Sequence, residues 1–423
     1  MPEGLMIRNM THLVFCLAAA MFAETSHAAY IETIHRFSAD NNGVTPDSAL
    51  TFANGVLYGT TPVRYVNESL SSSGTVFRMN PDGSGFSTLH RFPGFQVAGP
   101  LGGVTVAGSQ IWGTTAEGGD FGGGQIFTVN NDGSGFATLH SFTGNNGASS
   151  PVDGFFPVGE LTMIGSALYG TTVQGGTQNA GTIFTINVEG GDYQVLHRFS
   201  GTDGASPHQG LTLVGSTLYG TTSSGTDNSL GSIFAINQDG SGFHLLHTFT
   251  DPSGGYIAEG KLVSDGLHLF GTTTAGGLGG GGGTIFSVDL DGSNFRLLHS
   301  FAPGLGDGAA PEAGLTLVGS TLYGVTRQGG EFREGTLFSV ETSGEGYSIL
   351  HSFSGAEGRN PQGELILVGS KLYGMTEEGG GPGYRGTVFA VAVPEPSGLV
   401  LSGSVAAVLA MTLAVRRLQQ GRT

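Results

Sequence analysis

Apolar and polar residues alternate along this chain in short runs, broken by Gly-Ser, by Asp-Gly and by longer glycine-rich segments, and one run returns seven times. Its core starts at Leu57, Ile111, Leu168, Leu218, Leu269, Leu322 and Leu372, reading LYGTT, IWGTT, LYGTT, LYGTT, LFGTT, LYGVT and LYGMT, at intervals of 50–57 residues. Alternation with a period of two, bounded by turn residues, marks β-strands. In the copy from Leu161 to Phe199 the pattern predicts a strand over 161–164, a Gly165-Ser166 turn, a strand over 167–172, a loop over 173–180, a strand over 182–187 and a fourth over 193–199. The last turn is Asp-Gly at Asp82, Asp132, Asp239 and Asp291, a strong hairpin signal. Each period therefore predicts a four-stranded antiparallel unit.

The fourth strand ends in Leu-His-x-Phe, at His90, His140, His197, His247, His299 and His351. The seventh copy stops near Val393 without one, and the missing piece stands at the other end as Ile31-Glu-Thr-Ile-His-Arg-Phe37. Strand types balance only if the chain closes on itself. The expected fold is all-β, a seven-bladed β-propeller over residues 29–393 completed by its N-terminal strand, with few free strand edges.

Composition changes the picture mainly at the ends. The 77 glycines and 16 prolines among 423 residues would suggest low complexity, but the period and 38% apolar content argue against it. Residues 1–28 read as a signal peptide: Arg8, an apolar run from Leu13 to Phe22, and Ser26-His27-Ala28 as a cleavage site. The single cysteine, Cys16, falls within it, so the exported chain would hold no thiol or disulfide. Residues 394–423 carry Pro394-Glu395-Pro396 directly after Val393, then an uncharged apolar stretch expected to form a transmembrane helix, then Arg416 and Arg417. This segment resembles the PEP-CTERM sorting signal. The resemblance implies an inner-membrane-anchored precursor, an exosortase-type processing enzyme as partner, and a mature protein at the cell surface or in an exopolysaccharide matrix. A net charge of −17 excludes nucleic acid as a partner.

The repeat itself resembles the GloVer (Gloeo-Verruco type) tandem repeats. The shared motifs are L-Y-G-T-T, the G-T-I-F of Gly181 to Phe184, and L-H-x-F; Trp112, Phe270, Gln125, Ser232, Val325 and Met375 depart from them. That resemblance implies an exported, anchored bacterial propeller and assigns no reaction.

The repeated histidines invite a metal reading, but on outer strands of separate blades they lie too far apart to converge. Counted by alternation, Phe243, Leu245, His247 and Phe249 share one face, so each imidazole is expected buried between blades with a hydrogen-bond partner. The repeated tyrosine is expected to fill the wedge between blades, and the glycine beside it to admit a neighbouring backbone. Asp153-Gly154, Asp203-Gly204 and Asp307-Gly308 could offer oxygens to calcium but read as ordinary turns, and no cofactor or metal is expected. The chain holds no G-x-S-x-G, no H-E-x-x-H and no phosphate-binding lysine loop, so no catalytic residue is assigned.

Strand direction puts the long, varied connections on one face of the ring, where binding would sit. That face is expected to gather Glu117, Asp120 and Phe121 from one loop, Phe156 and Tyr256 from connections between blades, and Glu331, Phe332 and Arg333 from another loop. Arg359, Glu377, Tyr384 and Arg385 join them from the last repeat. Two functions remain open: a non-catalytic surface protein that binds matrix polysaccharide or another surface partner, and an extracellular carbohydrate-active enzyme, hydrolase or lyase, with paired carboxylates at the channel mouth.

Overall fold

The structure, a computed structural model, describes residues 30–38, 43–62, 64–66, 69–72, 74–92, 99–143, 153–226 and 229–393. The expected signal peptide, and the sorting residues Pro394, Glu395, Pro396, Arg416 and Arg417, lie outside the described residues; Val393 is the last one described. Among the described residues no helix is long and apolar enough to cross a membrane.

Seven four-stranded antiparallel sheets form the blades of a β-propeller. In blade 3 the strands are Thr162–Ile164, Ala167–Thr172, Thr182–Asn187 and Gln194–Arg198, in that order from the axis outward. Blade 7 takes three strands from the C-terminal end, Arg359–Val368, Lys371–Glu378 and Tyr384–Ala392, and its outermost from the N-terminus, Ile31–Ser38. The pairing of Ile31 with Val391 and of Arg36 with Thr387 closes the ring.

Every interface between neighbouring blades repeats one apolar set. Tyr169, Ile183 and Phe199 of blade 3 meet Leu211, Leu218, Phe234 and Ile236 of blade 4. The closing interface does the same, with Phe37, Tyr373 and Val388 of blade 7 against Leu50, Leu57, Phe77 and Met79 of blade 1. The repeated aromatic thus fills the wedge between blades, as expected. Its glycine neighbour behaves differently. Gly170 lies opposite Phe184, and a Cβ there would come 2.5 Å from the Phe184 ring. The glycine admits an aromatic ring of its own blade, not a neighbouring backbone.

Hydroxyls complete the joints. In each inner strand that begins with threonine, the side chain donates to a carbonyl of the next blade, as Thr105 does to Leu161 at 2.5 Å and Thr316 to Leu365 at 2.6 Å. In every blade but the second, the second threonine of the core motif shares a buried 2.8 Å bond with a hydroxyl of the third strand, as Thr172 with Thr182 and Thr326 with Thr336.

The fourth strand departs from simple alternation. The register shifts between Ile183 and Phe184, which pair with His197 and Val195, and the same shift recurs in blades 1, 2, 4, 5 and 6. This β-bulge inserts one residue and reverses which face the following side chains take. Phe243 therefore stacks back on His197 of blade 3, at 3.7 Å between centroids, while His247 stacks forward on Phe295 of blade 5 at 3.8 Å. Phe243 and His247 do not share a face, which corrects the reading by alternation.

The histidines are half-buried rather than fully buried. Four of them reach a carboxylate in the segment leading to the next blade: His140 to Asp153 at 3.3 Å, His197 to Asp203 and His299 to Asp307 at 3.0 Å, and His351 to Glu357 at 3.0 Å. The Asp-Gly aspartates are thus acceptors for the repeated imidazoles, and they also take backbone N–H groups, as Asp203 does from Ser200 at 2.7 Å. No group of three or more His, Cys, Asp or Glu among the described residues is placed to hold a metal ion.

Candidate functional site in the axial channel

The long-connection residues named from the sequence occupy the face that strand direction gives them, but they do not form one cluster. Phe121, Phe332, Glu117, Asp120, Glu331 and Arg333 are exposed loop residues, and Tyr384 and Arg385 are exposed at the start of the strand Tyr384–Ala392. Arg36 lies over the Tyr384 ring at 5.9 Å. Arg359 is engaged by Glu378 at 2.7 Å and Glu334 at 3.8 Å. Tyr256 is half-buried, its backbone bridged to Ala275. Glu377 is buried, and accepts from Arg327 at 3.1 Å and from Gln362 at 3.2 Å. Phe156 alone of the set lines the principal cavity.

That cavity, about 320 Å³, stands on the ring axis, since all seven blades contribute the residues that lead into their innermost strands. The position before the buried apolar residue of each inner strand, leucine in six blades and Val104 in blade 2, is Ala49, Gly103, Glu160, Gly210, Lys261, Gly314 and Glu364 in chain order. The small residues belong there because neighbouring inner strands nearly touch: a Cβ on Gly210 would come 2.5 Å from the Glu160 carbonyl oxygen. The three charged ones come from blades 3, 5 and 7, and all three line the cavity. Lys261 donates to Glu160 at 3.0 Å. A second, smaller space of about 190 Å³ is lined by the same three side chains with Thr51 and Ile366, so the charged trio separates two parts of the channel.

Two positions nearer the mouth, the lining includes Asp47, His208, Glu259, Glu312 and Gln362. His208 approaches Glu259 at 3.8 Å, and Arg327 approaches Glu312 at 3.8 Å. Burial pushes the carboxyls of Glu259 and Glu312 upward; Arg327 opposes this at Glu312, and Glu259 adds to it. Burial lowers His208. At the floor, burial raises Glu364 to about 7, with Lys261 pulling it down and Glu160 pushing it further up. Glu160 in turn raises Lys261. The channel is thus a small polar chamber with more carboxylates than cations, crowded amides and one aromatic ring. It can accept and donate hydrogen bonds at many angles, as recognition of a polyhydroxyl compound requires.

The Gloeobacter/Verrucomicrobia repeat model matches residues 20–155, 68–283, 150–332 and 269–400. The chain belongs to this family. No curated protein matches it. Among solved structures, an oligogalacturonate lyase in complex with manganese is similar at a TM-score of 0.52 and 12% identity, over 87% of this chain and 94% of that one. A chain of a nidogen/laminin complex is similar at 0.45 and 13%, over 73% and 98%. The likeness to the lyase is one of fold.

The axial residues of this Gloeobacter/Verrucomicrobia repeat protein escaped the sequence reading, which looked for chemistry in long loops. The available signal was a break in the repeat: Glu160, Lys261 and Glu364 replace the glycine or alanine that the other four copies carry at one and the same position.

Proposed function

We propose that the protein is an exported propeller that binds a neutral glycan of the extracellular matrix in its axial chamber without altering it. The observation that carries this reading is the chamber itself, of a size suited to a sugar residue, with Gln209, Gln362, Glu259, Glu312 and His208 offering polar atoms beside Phe156. A carboxylate accepts two hydroxyl hydrogens at once, and an aromatic face covers the apolar side of a pyranose ring. The lyase likeness does not carry an acidic substrate over, since Glu160, Glu259, Glu312 and Glu364 would repel one. Export and surface anchoring are supported by the leader-like and sorting-like ends of the sequence.

The test is binding to an immobilised array of defined oligosaccharides, wild type against Glu312→Gln and Gln362→Ala. Wild type is expected to retain members of a neutral glycan series, with at least tenfold weaker binding in the variants at unchanged melting temperature. Retention of acidic glycans alone would overturn the reading. One observation favours a hydrolytic alternative: Glu364, raised to about 7, stands with Glu160 at the chamber floor, an arrangement that could donate a proton near neutral pH. New reducing ends released from a bound glycan by wild type, and not by Glu364→Gln, would decide for it.

A further inference from the structure

Phe156 sits at φ +63°, a left-handed conformation unusual for so bulky a residue. The backbone there is dictated by the fold. Ser206, Ile257, Ala310 and Asn360 take φ values of 52–60° at the matching place, and each donates its N–H to the preceding blade's loop, as Ser206 does to Ala180 at 2.8 Å. The architecture demands the conformation and leaves the side chain open. Blade 3 alone among these carries an aromatic, and it lines the chamber.

The Phe156 N–H donates to Gly123 at 3.0 Å, in the blade-2 loop whose exposed tip is Phe121. That loop is held in turn by Gly124 N–H to Gly118 at 3.0 Å and by Asp120 N–H to the Ser141 hydroxyl at 3.2 Å. On the other side, Phe155 exchanges backbone bonds of 2.9 and 3.0 Å with Gln174 of blade 3, and its ring lies 6.0 Å from that of Phe156. Phe156 on the chamber wall, Phe155 beside it and the exposed Phe121 of the bonded blade-2 loop therefore belong to one firmly tied junction of blades 2 and 3. Of the residues held at this place, Phe156 alone lines the cavity, so its ring is the one the scaffold presents to a ligand there.

Resting on the glycan-binding reading, we propose that the ligand is a polymer: its end residue occupies the chamber against Phe156, and the residues that follow lie over Phe155 and Phe121 at the junction of blades 2 and 3. Aromatic faces stack on sugar rings in succession, and each added contact lengthens residence without a new charged group. The exposed carboxylates of Glu117 and Asp120 beside this path suit an uncharged chain and oppose a polyanion.

The experiment uses the folded propeller on an array of neutral homo-oligosaccharides of two to eight residues, comparing wild type, Phe121→Ala and Phe156→Gly. Glycine suits the left-handed backbone at 156, so that variant removes the ring without added strain. Wild-type affinity is expected to rise at least tenfold with chain length in the series that binds. Phe121→Ala should abolish that rise while leaving the shortest binder within twofold, and Phe156→Gly should weaken every length. Affinity independent of length, or a length gain retained in Phe121→Ala, overturns the track and leaves the chamber reading standing. Absence of binding to every glycan overturns both.

Discussion

Gly170 and its counterparts in the other blades illustrate how one residue position can decide a repeat. An aromatic ring occupies the space a side chain would need, so Gly170→Ala is expected to cost about 1–3 kcal/mol through overpacking against Phe184, read as a lower urea midpoint with unchanged slope. The histidines add a pH dependence. Burial lowers His35 to about 4 and lowers His90 and His247; it also lowers His197, where it outweighs the opposing pull of Asp203. A histidine whose folded pKa lies below its ordinary 6.5 contributes stability that is present above 6.5 and lost as pH falls through the folded value. At Asp153, Asp307 and Glu357 burial pushes upward, but hydrogen bonds from His140, His299 and His351, with further donors, leave each below its ordinary value; their contribution is lost at still lower pH. The melting temperature should therefore fall steadily from about pH 6.5 towards pH 4. Glu364 has the opposite sign: its raised pKa favours folding below about 4.5, and that advantage disappears as pH rises through about 7. Glu364→Gln should raise stability by on the order of 2 kcal/mol at pH 8 and by almost nothing at pH 4.5, checked by urea unfolding at both values.

At the scale of the element, the strand Ile31–Ser38 carries the closure, with Phe37 fully buried and Ile31 nearly so against opposite interfaces of blade 7. Deleting residues 29–38 removes about 3–6 kcal/mol of side-chain burial and exposes the edge of Tyr384–Ala392. A marked drop in melting temperature is expected, and an unchanged curve would count against closure as the source of stability. Strands and turns were legible because alternation, Gly-Ser and Asp-Gly are local signals. The bulge in the fourth strand was not, since Leu-His-x-Phe read with strict alternation looks regular, and only pairing with the third strand places two residues opposite one.

For the whole molecule, chain direction sets orientation. The Val393 N–H donates to Ser370 at 2.9 Å, in the turn between the first two strands of blade 7, so the chain leaves the ring on the short-turn face. If the segment that follows spans the membrane, the long-connection face and the chamber mouth look away from it. Biotin on Glu331→Cys, in a long loop, should be captured by streptavidin more readily than biotin on Ser343→Cys, in a short turn, in unprocessed protein held in vesicles with the periplasmic face outward. The reverse preference would refute this orientation. The sequence alone was enough for the all-β class, the blade count and the closing strand, because these follow from local alternation and from counting repeats. The chamber was decided by tertiary structure. Glu160 and Lys261 stand 101 residues apart, and they meet because a closed ring turns equal positions of distant repeats toward one axis. Their chemistry follows from the same closure, since burial and mutual proximity, which shift Glu364 and Lys261, exist only once seven inner strands surround a common space.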